Sequence, residues 1–182
     1  VTLADLLDQY RRREIGPRRG ESVANRLCVS SGEATRNKNS LDQQTDAMLS
    51  DGASGLYAIA SGIDHPAAGR HGGRPPHPGV SANTAIGVLQ ELAAILPEPT
   101  TPEETRLQMQ EMMLILRNEV PLRTGNEMSD AMVTIARVVE LEGRRFLVTV
   151  QAGNNEVSMY SNGVRRTLSR QQGARGSVGD AV

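Results

Sequence analysis

The chain has 182 residues, of which 38% are hydrophobic, and carries a net charge of −1. This length favours one domain with a sizeable core, and an aromatic content of 2% leaves Leu, Val, Ile, Met and Ala to build that core. A single cysteine excludes an internal disulfide and a cysteine-rich zinc site. No apolar run reaches membrane-spanning length and no signal peptide is visible, so we expect a cytoplasmic protein.

Residues 1–20 are predicted to form an N-terminal amphipathic helix or arm. Apolar side chains between Thr2 and Arg13 fall on one helical face, and Ile15-Gly16-Pro17 ends the pattern. The arginines that follow this face are typical of a solvated helix terminus. Nucleic-acid contact is the alternative, which the absence of interleaved aromatic residues disfavours.

Three short strands are predicted next, over Arg26–Ser30, Asp46–Ser50 and Leu56–Ala60. The third is apolar throughout, which is typical of a strand buried on both faces. We expect it to break at Ser61-Gly62 into a turn, because glycine and serine favour turns. A strand end followed by a glycine turn is a common position for functional residues.

A loop rich in glycine, proline and histidine is predicted from Gly62 to Gly79. It contains His65, His71 and His77. Histidine is a common transition-metal ligand, but a spacing of six residues matches no short metal motif. A solvated loop is therefore the favoured interpretation and a metal site the alternative.

Two helices follow this loop. Apolar residues at helical spacing predict the first over Ser81–Leu96. Thr101-Pro102-Glu103-Glu104 predicts the start of the second, with Thr as N-cap and Pro at the first position. A stripe of methionine, leucine and valine gives this helix a core-facing side, and Pro121 is expected to end it.

The remaining pattern alternates as in strands and predicts an antiparallel meander. Its turns are Glu142-Gly143, the segment around Gly153, and Asn162-Gly163. The four predicted strands are Met132–Leu141, Phe146–Val150, Val157–Tyr160 and Val164–Leu168. Residues 169–182 have little to bury and are predicted to form a flexible tail. Strands, two helices and hairpins in this order indicate an α+β fold with helices on an antiparallel sheet.

From residue 26 to residue 168 the sequence resembles the protein phosphatase 2C (PPM) family of metal-dependent Ser/Thr phosphatases, in the bacterial style. The family has an Arg, then Asn-Glu-Asp or Asn-Gln-Asp, then a strand that leads into Ala-Asp-Gly-Met-Gly-Gly-His-Ala-Ala-Gly. Two helices follow, then Gly-Thr-Thr at the start of a strand, and then a hairpin that carries Asn-Val-Gly-Asp-Ser-Arg. The similar segments here are Thr35-Arg36, Gln44-Thr45-Asp46, Ala60-Ser61-Gly62-Ile63-Asp64-His65-Pro66-Ala67-Ala68-Gly69, Ser129-Asp130-Ala131 and Gln151-Ala152-Gly153-Asn154-Asn155-Glu156.

The resemblance implies an antiparallel β-sandwich flanked by helices over residues 21–168. It also implies hydrolysis of phosphoserine and phosphothreonine by a water activated between two Mn²⁺ or Mg²⁺ ions. Such hard ions require carboxylate oxygens. The family's central aspartate is replaced by Ser61, whose neutral hydroxyl cannot replace a bridging carboxylate.

Few of the family's functional positions are kept. The resemblance assigns Arg36 to phosphate binding, and Asp46 to the first acidic catalytic and metal position. Gly62 and Asp64 are remnant metal positions. The family's later Asp-Gly and Asn-Asp elements have no counterpart, so the resemblance implies a fold that is incomplete at its C-terminus.

We therefore expect a catalytically impaired pseudophosphatase that serves as a binding or regulatory module in phospho-signalling. The alternative is an active phosphatase, a fragment or one with a divergent ligand set, using Mn²⁺ or Mg²⁺. No cofactor is expected under the first hypothesis. The expected partner is a protein or phosphoprotein, with homo-oligomerisation through exposed sheet edges as a further possibility, and neither membrane nor nucleic acid is expected.

Overall fold

A computed structural model describes residue 8 and residues 45–63, 78–127, 129–153 and 155–168. These residues form six strands and two helices. In chain order they are β1 (Asp46–Asp51), β2 (Leu56–Ile63), α1 (Pro78–Ile95), α2 (Pro102–Thr124), β3 (Asp130–Leu141), β4 (Arg144–Ala152), β5 (Ser158–Ser161) and β6 (Val164–Thr167). The helix predicted over Thr2–Arg13, the strand predicted over Arg26–Ser30 and the tail lie outside the described residues, apart from residue 8.

The first four strands form one antiparallel sheet in the order β1-β2-β3-β4. Side chains alternate between the two faces of each strand, and the alternate residues Leu56, Ala58 and Ala60 of β2 are buried. Strand β2 continues to Ile63, so the predicted break at Ser61-Gly62 is wrong. Pairing on both sides overrides the local turn preference, because β2 remains in register with β3 as far as Ile63.

Both helices pack on one face of this sheet. Helix α1 contacts β1, β2 and β3, and α2 contacts α1, β3 and β4. The core between the layers is almost wholly aliphatic and includes Leu89, Leu92, Met109, Leu116, Val133 and Ile135. The methionine stripe of α2 is therefore a packing surface, since Met109 and Met112 are at most 1% exposed.

Helix α2 begins as its sequence predicts and ends later than predicted. The Thr101 side chain accepts a hydrogen bond from the backbone of Glu104 at 3.0 Å, and Pro102 is the first helical residue. Pro121 lies inside the last turn and does not end the helix. The end is set by Gly125, which has a φ of 65° and whose N–H donates to the carbonyl of Leu122.

The expected turns join β3 to β4 and β5 to β6. Glu142 and Gly143 both have positive φ, as do Asn162 and Gly163, which is typical of two-residue hairpin turns. The two hairpins belong to different sheets, however, because β5 and β6 pair only with each other in the part of the chain that the structure describes. The expectation of one continuous meander is therefore wrong at the turn after β4.

One local contact joins the two helices, and another brings the turn before β2 close to β3. The Arg123 guanidinium bridges the carboxylate of Glu91 on α1, at 2.8 Å, and that of Glu119 on α2, at 3.1 Å. Gly55, with a φ of 67°, approaches β3 so closely that an added Cβ would lie 2.5 Å from the carbonyl oxygen of Val138. The antiparallel sheet and the two helices packed on it confirm the predicted α+β class. The predicted domain limits at residues 20 and 168 stay predictions.

Candidate functional site

The end of the sheet where β1 begins and β2 finishes carries a pair of polar side chains in direct contact. Asp46 and Ser61 are opposite each other in the β1–β2 register. The Ser61 hydroxyl donates to Oδ1 of Asp46 at 2.6 Å, and the Thr45 hydroxyl donates to the same oxygen at 3.3 Å. Both strands are fixed here by the hydrogen bond of 2.9 Å from the Gly62 N–H to the carbonyl of Thr45.

This short contact joins one oxygen of the Asp46 carboxylate to a hydroxyl of the neighbouring strand. A hydrogen bond from a hydroxyl to a carboxylate is charge-assisted and is normally 2.5–2.7 Å long. The resemblance singled out both positions, but the sequence did not show how the two strands pair. The register now places Ser61 directly across from Asp46, with both side chains partly buried.

A second acidic residue, Asp130, lies at the same end of the sheet. It begins β3, is 8% exposed and pairs with Ile63. Its Oδ1 accepts a hydrogen bond from the backbone N–H of Ala131 at 2.8 Å. Strand alternation puts Asp130 on the same sheet face as Ser61. Because β1 and β3 are separated by β2, the backbones of Asp46 and Asp130 lie about 10 Å apart or more.

Sequence reasoning missed Asp130, which the resemblance aligned with part of the family's Gly-Thr-Thr segment. The same is true of Ser129, whose hydroxyl oxygen is buried and has no hydrogen-bond partner in the described part of the chain. A pattern that would have found Asp130 is an acidic residue at the first position of a buried strand, beside a predicted functional strand end.

The predicted site residues divide into those that the structure describes and those outside the described residues. Asp46, Ser61 and Gly62 are brought together at one end of the sheet, as the resemblance implies. Arg36, Asp64 and the three histidines of the loop lie outside the described residues. The roles assigned to Arg36, Asp46, Gly62 and Asp64 stay predictions.

The described side chains at this end do not fit a two-metal centre. A divalent ion such as Mn²⁺ or Mg²⁺ requires several oxygen ligands with ionised carboxylates among them. Asp46 supplies one carboxylate, one oxygen of which already accepts from Ser61 and Thr45. Within the described ranges, no three His, Cys, Asp or Glu residues are grouped so that they could hold a metal ion.

The class of protein that these features define is an α+β protein with an antiparallel sheet, two helices on one face and a hydroxyl–carboxylate pair at one sheet end. None of the described helices is both long and apolar enough to span a membrane. No protein-family model matches the chain, and no curated protein matches it.

Two solved structures are similar to part of it. One is the catalytic domain of the serine/threonine protein phosphatase PstP in complex with two manganese ions, at 18% identity and a TM-score of 0.47, over 78% of this chain and 54% of that one. The other is PppA, a key regulatory component of the T6SS in Pseudomonas aeruginosa, at 19% identity and a TM-score of 0.44, over 70% of this chain and 49% of that one. The chain thus spans about half the length of these structures.

Proposed function

We propose that the chain is a protein phosphatase 2C-like module that binds a protein partner in phospho-signalling and does not hydrolyse phosphate esters. The observation that carries this proposal is the hydrogen bond of 2.6 Å from Ser61 to Asp46. The resemblance expects a second carboxylate at position 61, facing that of Asp46. Ser61 has a hydroxyl there, which donates to the Asp46 carboxylate.

The physical reason is charge. Two divalent ions held close together repel each other strongly unless carboxylates lie between them. Replacing the central carboxylate by a neutral hydroxyl removes one negative charge from that position. The Ser61 hydroxyl instead donates a hydrogen bond to Oδ1 of Asp46. This end of the sheet therefore offers a divalent ion one carboxylate fewer than the resemblance implies.

The test is hydrolysis of a phosphothreonine peptide by the full chain in the presence of Mn²⁺. We expect no turnover above that of a blank, because a nucleophilic water would lack its activating ions. Asp46→Asn is the matched variant, since it removes the carboxylate charge at constant size. Mn²⁺-dependent turnover that disappears in Asp46→Asn would overturn the proposal.

That same result would establish the second candidate, an active phosphatase with a divergent ligand set. The feature that favours it is Asp46 itself, which keeps a partly buried carboxylate at the sheet end. In this case Mn²⁺ would also raise the thermal stability of the wild-type chain, because a ligand that binds only the folded state stabilises it. Asp46→Asn would lose that increase.

Self-association through sheet edges is a separate part of the proposal. Strand β4 is an outer strand of the sheet in the described part of the chain, and its exposed Leu147 adds apolar surface. Outer strands of this kind pair with other chains unless they are blocked. Light scattering over a range of concentrations should show a concentration-dependent dimer, and a monomer at every concentration would remove this part.

A further inference from the structure

A buried arginine lies at the opposite end of the sheet from Asp46. Arg137 of β3 is 6% exposed and pairs in register with Leu56 of β2 and Val148 of β4. It shares the helix-facing side of β3 with Val133 and Ile135, which are fully buried. A guanidinium is charged at all physiological pH values, so this position holds a cation in the apolar layer.

The guanidinium has few partners for its five N–H groups. Its Nη1 donates to Oε1 of Gln108 on α2 at 2.8 Å, whereas its Nε is buried and has no hydrogen-bond partner among the described residues. No carboxylate forms an ion pair with it among the residues that the structure describes. Burial lowers the pKa of Arg137, and the charge of Glu98 acts in the opposite direction.

The segment between α1 and α2 lies beside this group. The Gln108 amide that accepts from Arg137 also donates to the carbonyl of Pro97 at 3.1 Å. Gln108 is itself 6% exposed, so its amide is fixed on both sides. Glu98, the next residue after Pro97, is exposed. Hydrogen bonds thus link the buried cation through Gln108 to Pro97, the residue before the exposed Glu98.

We propose that Arg137 is the anchoring group of an oxyanion site at the α1–α2 connection, and that the site takes a small free oxyanion such as inorganic phosphate. A buried charge with an unused donor requires a compensating group, commonly an ion or an ordered water. The planar guanidinium presents donors in a fork that matches the oxygens of phosphate or carboxylate. Gln108 holds the guanidinium in place from one side.

The exposed carboxylate of Glu98 has a defined part in this arrangement. Its charge raises the pKa of Arg137, against the effect of burial, and Glu98 directly follows Pro97, whose carbonyl accepts from Gln108. An oxyanion at the guanidinium would meet repulsion from the Glu98 carboxylate. Removing the Glu98 charge should therefore strengthen anion binding, whereas a purely structural role for Arg137 predicts no effect of Glu98 on any anion.

This site is separate from the hydroxyl–carboxylate pair at the other end. Met132 is opposite Ser61 in the register, and Arg137 lies five residues further along β3, or about 17 Å at 3.4 Å per residue. Oxyanion binding here does not depend on the proposed function. Its failure would leave that function unaffected.

The test is a phosphate titration of the full chain, followed by ³¹P line broadening and by amide shifts of the protein, with sodium chloride at matched ionic strength as the reference. We expect saturable binding by the wild-type chain and at least ten-fold tighter binding than in Arg137→Met. The matched control is Arg166→Met, which removes the same charge from an exposed strand and should bind phosphate as the wild type does.

Glu98→Gln keeps the proposal testable if Arg137→Met does not fold. Because Glu98 is on the surface, this variant should fold normally and bind phosphate several-fold more tightly than the wild type. Absence of saturable binding in both the wild type and Glu98→Gln would overturn the proposal. Equal weakening in Arg137→Met and Arg166→Met would overturn it as well, since that result indicates only a general effect of net charge.

Discussion

Replacing Ser61 by aspartate should convert the strongest polar contact of the sheet end into a repulsion. The hydroxyl now lies 2.6 Å from Oδ1 of Asp46, so an aspartate there would bring two carboxylates to within about 4 Å. At that separation the repulsion is about 4 kcal/mol for an effective dielectric near 20. Both positions are only partly buried, and solvent screening reduces the cost to about 1–3 kcal/mol.

Urea denaturation of Ser61→Asp and Ser61→Asn at pH 8 and near pH 4 measures this effect. Asn has the size of Asp without the charge, so the difference between the two variants isolates the repulsion. The repulsion requires both carboxyl groups to be ionised. The difference should therefore be present at pH 8 and shrink as the pH falls and one group takes up a proton.

Divalent ions provide a second readout of the same pair. Mn²⁺ should restore part of the lost stability to Ser61→Asp, because two facing carboxylates attract a divalent ion. It should not stabilise Ser61→Asn. Equal stability of the two variants at pH 8 would refute the reasoning, since it would mean that the side chains at positions 46 and 61 do not face each other in solution.

Three further predictions concern the elements around the core. Arg123→Met removes a charge partner of a buried carboxylate and should cost about 1–3 kcal/mol in urea denaturation, whereas Glu91→Gln should cost about 1 kcal/mol or less because that carboxylate is exposed. Gly55→Ala should lower the free energy of unfolding by about 2 kcal/mol or more, because the added Cβ would meet the carbonyl oxygen of Val138. Gly125→Ala, at a similar φ with open space around it, should lower it by about 1 kcal/mol. Equal losses in the two variants would refute the clash at Gly55. The pKa of Glu104 is lowered by hydrogen bonds from the backbone and side chain of Thr100, so the wild type should be more stable than Glu104→Gln at pH 7, with the difference lost as the pH falls below about 4.

Local chemistry made much of the fold predictable. The N-cap of α2 and its first proline, and the two hairpin turns with glycine at the second position, each depend on residues adjacent in sequence. They are found where the sequence predicts them. Both helices were predicted for the same reason, because their apolar residues recur at helical spacing.

The errors arose where distant strands or helix ends decided the outcome. Ser61-Gly62 favours a turn locally, but β1 and β3 pair on either side and carry β2 to Ile63. Pro121 was expected to stop α2, yet its carbonyl accepts from Asn126 at 3.1 Å as part of the cap that follows. The pairing of β2 on both sides and the position of the C-terminal cap of α2 were not evident from the residues at Ser61-Gly62 and Pro121 alone.

Arg137 illustrates what the alternation of a strand can and cannot predict about a buried side chain. Val133, Ile135 and Val139 are at alternate positions on the buried face of β3, and Arg137 occupies the position between the last two. Alternation alone therefore predicts that this arginine points into the core. What the sequence could not provide is its partner, because Gln108 comes from a helix 29 residues earlier.

The two ends of the sheet differ in how their charge is stabilised, and this difference makes the two proposals independent. At one end the chain supplies the Ser61 hydroxyl to the Asp46 carboxylate. At the other end, within the described residues, the chain supplies the amide oxygen of Gln108 to the Arg137 guanidinium and no acceptor to its Nε. Among the described residues, Nε of Arg137 is a buried cationic donor without an acceptor, and this observation is what points to a bound anion at that end.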